Sequence, residues 1–577
     1  MKLKVEKQPE KGDWAVQITS YDDHGDRLPY SDTVKNFDTR AARNKVISEL
    51  VADNGCTYED ADKLVREAFN QLMEDGDAGD QGGDHQRRDQ ASQLVDVADV
   101  AELWHGLDMT AYASVTTDSH REDWKLESKG FTDWLTSEFY ERYNKPPTKT
   151  AKDTAMALLS SKARRDGDEY PVYTRVAEED GRIYLDLANA DRQVVAIDAY
   201  GWRLLDISPV KFHRSESMRP LPEPRKGTLN ILREFLNLGP GDDAVWALYA
   251  ACLVQALRGD SQSQYPPLVI YGEHGSAKTT AAKMYRRLID PNKSDLRSPP
   301  KNETEIFIQA MNGRVLGYDN LSGLSPWLSD ALCRISTGGG MSSRKLYTDN
   351  GEVIFDGTRP VVLNGIEEIA TRSDLMDRAV ILTLPAIPPE KRRLESDLWR
   401  AFDTAHPYIL GGLLDAVSLG LRNLAQVRLD KLPRMADFAL WAVACEPAFG
   451  VPEGTFLAAY NDNRGNANLS AIEASVIGQY VLMLNQQDNN WQGTMTELLA
   501  ELVQLAPEEV TKQRNWPKRP HDLGGRLIRI TPNLRAEGIT IEEGKIDRNR
   551  RYVNIYSQSS ENLVSVVSPV APSLTKN

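Results

Sequence analysis

Apolar positions recur along the chain with three different rhythms. Residues 1–73 begin with an alternating segment, WAVQITSYDD, and continue at helical spacing through Ala42, Val46, Leu50 and Val51, then Ala61, Leu64, Val65, Ala68, Phe69 and Leu72. The pattern predicts a small α+β module. Residues 74–92 carry EDGDAGDQGGDHQRRDQ, with no large apolar side chain, and predict a flexible acidic linker. In 93–227, helical stretches (GFTDWLTSEFYERY, TAKDTAMALLSSKARR) precede strand-like runs (PVYTRVA, GRIYLDLA, QVVAIDAYGWRLL), which predicts a second α+β domain. Asp186 and Asp198 stand near strand ends there but without the tight acidic pair of a two-metal site, so the domain reads as non-catalytic. Residues 228–262 predict a helical pair broken at Gly239, Pro240 and Gly241. Short continuous apolar runs then alternate with polar loops over 263–389, the pattern of a parallel sheet. Residues 390–484 read as helical, 485–557 as a last compact unit, and 558–577 as a disordered tail.

Length and charge refine this picture. The 577 residues leave room for several domains, and the net charge of -15 excludes a uniformly basic nucleic-acid coat. The first 100 residues hold 22 acidic against 13 basic side chains, so most of the acidity lies in one sixth of the chain. There is no apolar run of about 18 residues to cross a membrane, and the start MKLKVEKQPEKGDW lacks the apolar centre of a secretory signal. A cytoplasmic protein without membrane contact is expected. Cys56, Cys252, Cys333 and Cys445 are scattered, which argues against a zinc site or a disulfide framework.

The chemistry concentrates in 263–389. PPLVIYGEHGSAKTTAAKMYRRL joins an apolar strand, Leu268 to Tyr271, to a helix starting near Lys278 through a Gly-rich loop. Such a loop aims backbone N–H groups and a helix N-terminus at phosphates, the lysine reaches the β and γ oxygens, and Thr279 offers a hydroxyl to Mg²⁺. Ala277 stands where the strict pattern has glycine. About forty residues on, GRVLGYDNLS puts Asp319 at the end of a strand, Val315 to Tyr318. RPVVLNG ends a strand in Asn364, and TRSDLMDRAVILTL sets Arg372 and Arg378 before another. Strand-loop-Lys, strand-Asp, strand-Asn and Arg-strand together describe a parallel-sheet ATPase. Between the Asp and the Asn, Asn350-Gly351 predicts a two-residue turn joining Lys345–Thr348 to Val353–Phe355 in a β-hairpin.

GEHGSAKTT, VLGYDNLS, STGGGMSSRKLYTD, RPVVLNG and DLMDRAVILTL, spanning roughly 266–385, resemble the superfamily 3 helicases, AAA+ ATPases of viruses, phages and mobile elements. The likeness is strongest to the ATPase part of phage- and poxvirus-type primase-helicases. It implies an α/β fold with an AAA+ core, ATP and Mg²⁺ as cofactors, and nucleotide binding by Gly272, Glu273, His274, Gly275, Ser276, Ala277, Lys278, Thr279 and Thr280. It further implies Thr279 and Asp319 as Mg²⁺ residues, Asn364 as γ-phosphate sensor, and Arg378 as a finger into a neighbouring subunit of a ring, usually a hexamer, with Arg372 a second candidate. Asn320 occupies the place where many relatives have a second acid that polarises the water, which leaves the general base open, with Glu303 or Glu305 as alternatives. Arg344 and Lys345 are the basic residues nearest the hairpin tip for DNA contact. No acidic triad for polymerisation is evident in 1–225, so any primase would be a separate partner.

The final unit opens with Thr494 and Glu497 in capping-box spacing before Leu498, Leu499 and Leu502. A helix follows with Leu523, Leu527, Ile530 and Leu534 on one side and Arg526, Arg529 and Arg535 on the other, then two strands whose turn carries Lys545, Arg548, Arg550 and Arg551. Eleven basic and five acidic residues lie between Lys512 and Tyr552. Helices with a basic β-hairpin describe a winged helix, which would take duplex DNA. The sequence therefore leads to an ATP-driven DNA helicase or replication-initiation motor that passes a single strand through a ring. A nucleotide-switched oligomeric ATPase of assembly or defence, without unwinding, is the alternative.

Overall fold

A computed structural model describes residues 2–7, 15–22, 27–34, 40–54, 57, 60–68, 89–116, 120–239, 242–259, 263–321, 323–338, 341–344, 352–355, 357–365, 373–545 and 551–557. These divide into two units, 1–170 and 171–577. In the first, strands β1 (Lys2–Lys7), β2 (Val16–Tyr21) and β3 (Arg27–Val34) form an antiparallel sheet in that order. The alternation in β2 turns Val16 and Ile18 inward, where they meet Val46, Ile47 and Leu50 of α1 (Arg40–Asn54) and Ala61 and Val65 of a helix over 60–68. A second layer starts with α2 (Gln90–Val97), capped by Asp89, which accepts from the Ser92 N–H. Strands β4 (Glu102–Gly106), β5 (Ala111–Thr116) and β6 (Arg121–Lys125), helices α3 (Lys129–Tyr143) and α4 (Lys149–Asp166), and strand β7 (Asp168–Tyr170) complete it in sheet order β6-β5-β4-β7. Its core is Leu94, Ala113, Val115, Phe131, Leu135, Phe139 and Leu159.

The unit boundary falls inside 93–227. Its second part forms β8 (Val172–Tyr173), β9 (Val176–Glu179), β10 (Arg182–Asp186), β11 (Val194–Asp198), β12 (Gly201–Leu205) and β13 (Lys211–Phe212). Ile183, Leu185, Val195 and Ile197 from this sheet enter the large core of the second unit, because one face of so small a sheet needs apolar cover. Asp186 and Asp198 are not brought together as a metal pair: Arg214 grips Asp186 with two hydrogen bonds of 2.9 Å, and Asp198 accepts the Tyr200 N–H in a turn. A 3₁₀ segment, Leu229–Phe235, stands where helical spacing predicts a regular helix, and α5 (Asp243–Ala256) follows, buried almost all round.

The central sheet comprises β14 (Leu268–Gly272), β15 (Leu316–Leu321), β18 (Val361–Gly365) and β19 (Val380–Leu384), all parallel, in the order β15-β18-β14-β19. Both faces are covered, Leu268 and Ile270 packing into one core and Val269 into another, which is why these strands read as unbroken apolar runs. Between them lie α6 (Lys278–Ile289), α7 (Glu303–Asn312), α8 (Pro326–Thr337), the antiparallel pair β16 (Met341–Arg344) and β17 (Glu352–Phe355), and α9 (Ser373–Met376). In that pair Arg344 stands opposite Glu352; the expected Asn350-Gly351 turn and the strand Lys345–Thr348 lie outside the described residues.

Helices α10 (Glu395–Asn423), α11 (Ala436–Cys445), α12 (Thr455–Ala474) and α13 (Gly478–Gln487) follow the sheet. Asn463 on α12 accepts the Ile381 N–H at 3.0 Å and donates to the Ile381 carbonyl, satisfying backbone groups of edge strand β19 as a neighbouring strand would. The last unit holds β20 (Asn490–Gly493), α14 (Met495–Leu505), α15 (Glu508–Thr511), α16 (Pro520–Ala536), β21 (Ile539–Lys545) and β22 (Arg551–Ser557), with antiparallel sheet order β20-β22-β21. Thr494 and Glu497 close a reciprocal capping box on α14. No helix among the described residues is long and apolar enough to cross a membrane.

Candidate functional site

β14 ends at Gly272, whose φ of +157° is one that side chains rarely adopt, and a Cβ there would stand 2.7 Å from the Leu384 carbonyl, so both the backbone and the close approach of the neighbouring strand require glycine. Gly275 (φ +78°) and Ala277 (φ +63°) then turn the chain in the left-handed region. Glycine adopts that conformation freely, whereas a side chain costs about 1–2 kcal/mol, so Ala277 carries strain that the usual glycine avoids. The loop is tied from outside by Asn237, which donates to the Ser276 carbonyl at 3.1 Å, and by the Ile387 N–H, which donates to the Gly275 carbonyl at 3.1 Å. Lys278 opens α6 and its ammonium donates to the Glu273 carbonyl at 3.1 Å, folded across its own loop.

Asp319 reaches the same place from β15. The ladder to β18 breaks after Tyr318, and Asn320 turns to φ +55°, so Asp319 and Asn320 lie within a strand that runs to Leu321 and not at the end of a shorter one. The Thr279 hydroxyl donates to the Asp319 carboxylate at 3.1 Å. Asn364, at the end of β18 and fully buried, accepts the Asn320 N–H at 2.9 Å, while its own side-chain N–H₂ and the buried Ser276 hydroxyl have no protein partner. A cavity of about 380 Å³ is lined by His274, Gly275, Ser276, Ala277, Lys278, Thr279, Asp319, Asn320 and Asn364. Three strands thus converge their carboxyl ends on one polar hollow, the usual position of a ligand in a parallel sheet.

A larger cavity, about 860 Å³, adjoins it through Ala277 and Thr279 and includes Thr280, Lys283, Phe235, Leu236, Ile387 and Arg392. Glu273 faces elsewhere, with Tyr271 and Thr383. Arg378 does not line the first cavity. It lines a third, of about 410 Å³, with Glu303, Trp327, Asp330, Cys333, Arg334, Thr337 and Asp374, and donates to the Asp374 carbonyl at 2.8 Å and to its carboxylate. Glu303 pairs with Arg334 at 2.6 Å, and Glu305 accepts the Lys301 N–H, so neither reaches the first cavity here. Arg372, Lys345, Arg548 and Arg550 lie outside the described residues; for Arg344, Lys545 and Arg551 the backbone is placed in paired strands, Lys545 opposite Arg551. On α16, Leu523, Leu527, Ile530 and Leu534 are buried, Arg529 and Arg535 are exposed and Arg526 is half-buried.

Sequence reasoning missed Asn237 and Arg392, which come to the loop from segments with no motif of their own, and Lys283, which lines the larger cavity from α6 itself. It also missed Asp374, although its four-residue spacing before Arg378 on a helix was a readable signal. Among the described residues no group of three or more His, Cys, Asp or Glu gathers to hold a metal. That is compatible with Mg²⁺, which needs only one or two protein oxygens when phosphates supply the rest.

Residues 234–465 match the family described as the actinomycete integrative conjugative element replication protein, and residues 477–569 match the RepA C-terminal domain of the same elements. The first match ends within α12 and the second begins just before α13, with β14 to β19 inside the first and α16 and its strands inside the second. No curated protein matches the chain. Among solved structures, two apo structures of the NrS-1 C-terminal region are similar, each at 11% identity, with TM-scores of 0.37 and 0.36. They cover 81% and 82% of this chain and 99% and 100% of their own, and a likeness of that size carries no argument here.

Proposed function

Starting from a chain that carries both segments of a mobile-element replication protein, we propose that it is a DNA-dependent ATPase, a P-loop AAA+ motor with a C-terminal winged helix. The observation that carries this reading is the convergence of Lys278, Thr279, Asp319 and Asn364 on one cavity from three parallel strands and the helix after the first. Lys278 would exchange the Glu273 carbonyl for β and γ oxygens, and the unpartnered Asn364 N–H₂ and Ser276 hydroxyl are donors suited to phosphate. The oxygens of Thr279 and Asp319 fit Mg²⁺, which when bound neutralises charge on the β- and γ-phosphates. The larger cavity, with Phe235, Leu236 and Ile387, offers apolar cover to a base. Arg378 sits in a separate cavity of its own chain, which favours its action on the nucleotide of a neighbour in a ring, a hexamer by resemblance.

The test is ATP hydrolysis by the full chain with and without single-stranded DNA, together with strand separation on a forked duplex. Stimulation by DNA and unwinding support the motor. Hydrolysis indifferent to DNA, with no unwinding at low salt, would instead select the nucleotide-switched assembly ATPase, which the Asn320 substitution favours. Lys278→Ala is expected to lower kcat/KM by about 10²-fold or more, the usual cost of a lost charge-stabilising donor, and to abolish unwinding.

The exposed Arg529 and Arg535 on α16 make the winged unit the expected duplex contact. Arg529→Ala should weaken binding about equally for all duplex sequences and reduce the slope of log affinity against log salt by about 1, if Arg529 neutralises one phosphate. Fluorescence anisotropy over a salt series measures this, and an unchanged slope would place the DNA elsewhere.

A further inference from the structure

Hydrolysis of ATP takes a proton from the attacking water, and a positioned base contributes about 10²–10⁴-fold to such a step. β15 supplies no second acid for it. Asn320 follows Asp319, and its backbone N–H is already bonded to Asn364. Asp319 accepts the Thr279 hydroxyl and is the carboxylate that Mg²⁺ would use. Glu303 and Glu305 are engaged with Arg334 and the Lys301 N–H, away from the cavity. Of the remaining side chains around the cavity, Lys278 is a cation, and Ser276, Thr279 and Asn364 hold no basic lone pair near neutrality. His274 is left. It lies on the turn between Gly272 and Gly275, is exposed, and lines the cavity together with Asn320 and Asn364.

We propose that His274 is the catalytic residue that accepts the proton of the attacking water, an inference that rests on the ATPase reading above. An imidazole nitrogen takes one proton as the water oxygen bonds to the γ-phosphorus. The bond from that phosphorus to the β,γ-bridging oxygen breaks, its electron pair leaves with ADP, and the imidazolium releases the proton to solvent. Free imidazole side chains change charge near pH 6.5, which suits a base at neutral pH. The charged groups around His274 are Glu273 beside it in the loop, Lys278 and Asp319 around the cavity, and Arg392, whose guanidinium comes close to Gly275.

The experiment compares the full-length wild type with His274→Ala and His274→Gln. ATP turnover is followed from about pH 5.5 to 8.5, on either side of the imidazole range, and affinity is read with a fluorescent mant-ATP probe. We expect kcat to fall about 100-fold in both variants with mant-ATP affinity within about two-fold, to lose its rise with pH, and to recover at least ten-fold in His274→Ala on adding imidazole. Wild-type turnover and pH profile in both variants would overturn the proposal and leave the ATPase reading standing. A parallel loss of binding and turnover, without imidazole rescue, would mean that His274 only holds nucleotide and would also overturn it. A wild type that neither binds mant-ATP nor hydrolyses ATP would remove both readings together.

Discussion

Replacing Arg378 by alanine is expected to slow turnover of bound ATP by about 10³-fold while leaving ATP affinity nearly intact, the behaviour of an arginine that acts only as charge develops on the transferred phosphate. α9 and the start of β19 position the side chain, and in this chain it is held by Asp374. Burial pushes the Asp374 carboxyl up, but hydrogen bonding and charge from Arg378, helped by Cys333 and Arg434, outweigh it and keep it below the ordinary carboxylate range. Arg434 stands 3.3 Å from Asp374 and 2.6 Å from Asp377, so Asp374 retains a cationic partner if Arg378 swings away. Release of Arg378 to a neighbour's phosphate therefore exchanges one charge-assisted bond for another without stranding the carboxylate. Single-turnover hydrolysis measures the loss. Mixing Arg378→Ala chains with Lys278→Ala chains gives the sharper result, because each lacks a different half of a shared site. Recovered activity in the mixture supports action in trans; a mixture as inactive as its components refutes it.

Asp290→Ala is expected to destabilise the second unit by about 3–5 kcal/mol, because it leaves buried cations and backbone donors without their acceptor. Asp290 is fully buried just after α6 and accepts from the Arg314 N–H at 2.9 Å, the Val315 N–H at 3.2 Å and the Arg175 guanidinium at 3.2 Å. Arg286, also buried, stands 3.8 Å away. One carboxylate thus ties the helix after the Gly-rich loop, the segment entering the Asp319 strand, and the loop before β9. Arg175 also donates to the Asp186 and Arg219 carbonyls, so it remains anchored but loses its counter-charge. Urea unfolding with a probe in this unit checks the prediction, and Asp290→Asn, which keeps acceptor capacity on one oxygen, should lose less. Equal stability of wild type and Asp290→Ala would show that water replaces the carboxylate.

The strands of the central sheet were legible because burial on both faces makes each a continuous apolar run, and the loop was legible because its glycines and lysine are adjacent in sequence. The basic helix α16 was readable for the complementary reason: its leucines return every three or four residues, leaving Arg529 and Arg535 on the solvent side. The expected turn at Asn350-Gly351 lies outside the described residues, whereas the pairing of 341–344 with 352–355 is settled between strands and has no local signal. The division at residue 170 was equally hidden, because nothing local marks that the sheet β9 to β12 shares the core of the second unit.

By itself the sequence determined most element types and the order of the strands along the chain, and it singled out the residues proposed to bind phosphate and Mg²⁺, since each depends on neighbours within a few positions. Only the tertiary structure decided which strands lie side by side, β18 between β14 and β15, and hence that Asn364 stands beside Asp319. It also decided that Asn237 and Arg392 come to the loop and that His274 shares a cavity with Asn320 and Asn364. Those are contacts between residues tens to more than a hundred positions apart, and they exist only once burial of the apolar strands has fixed the sheet order.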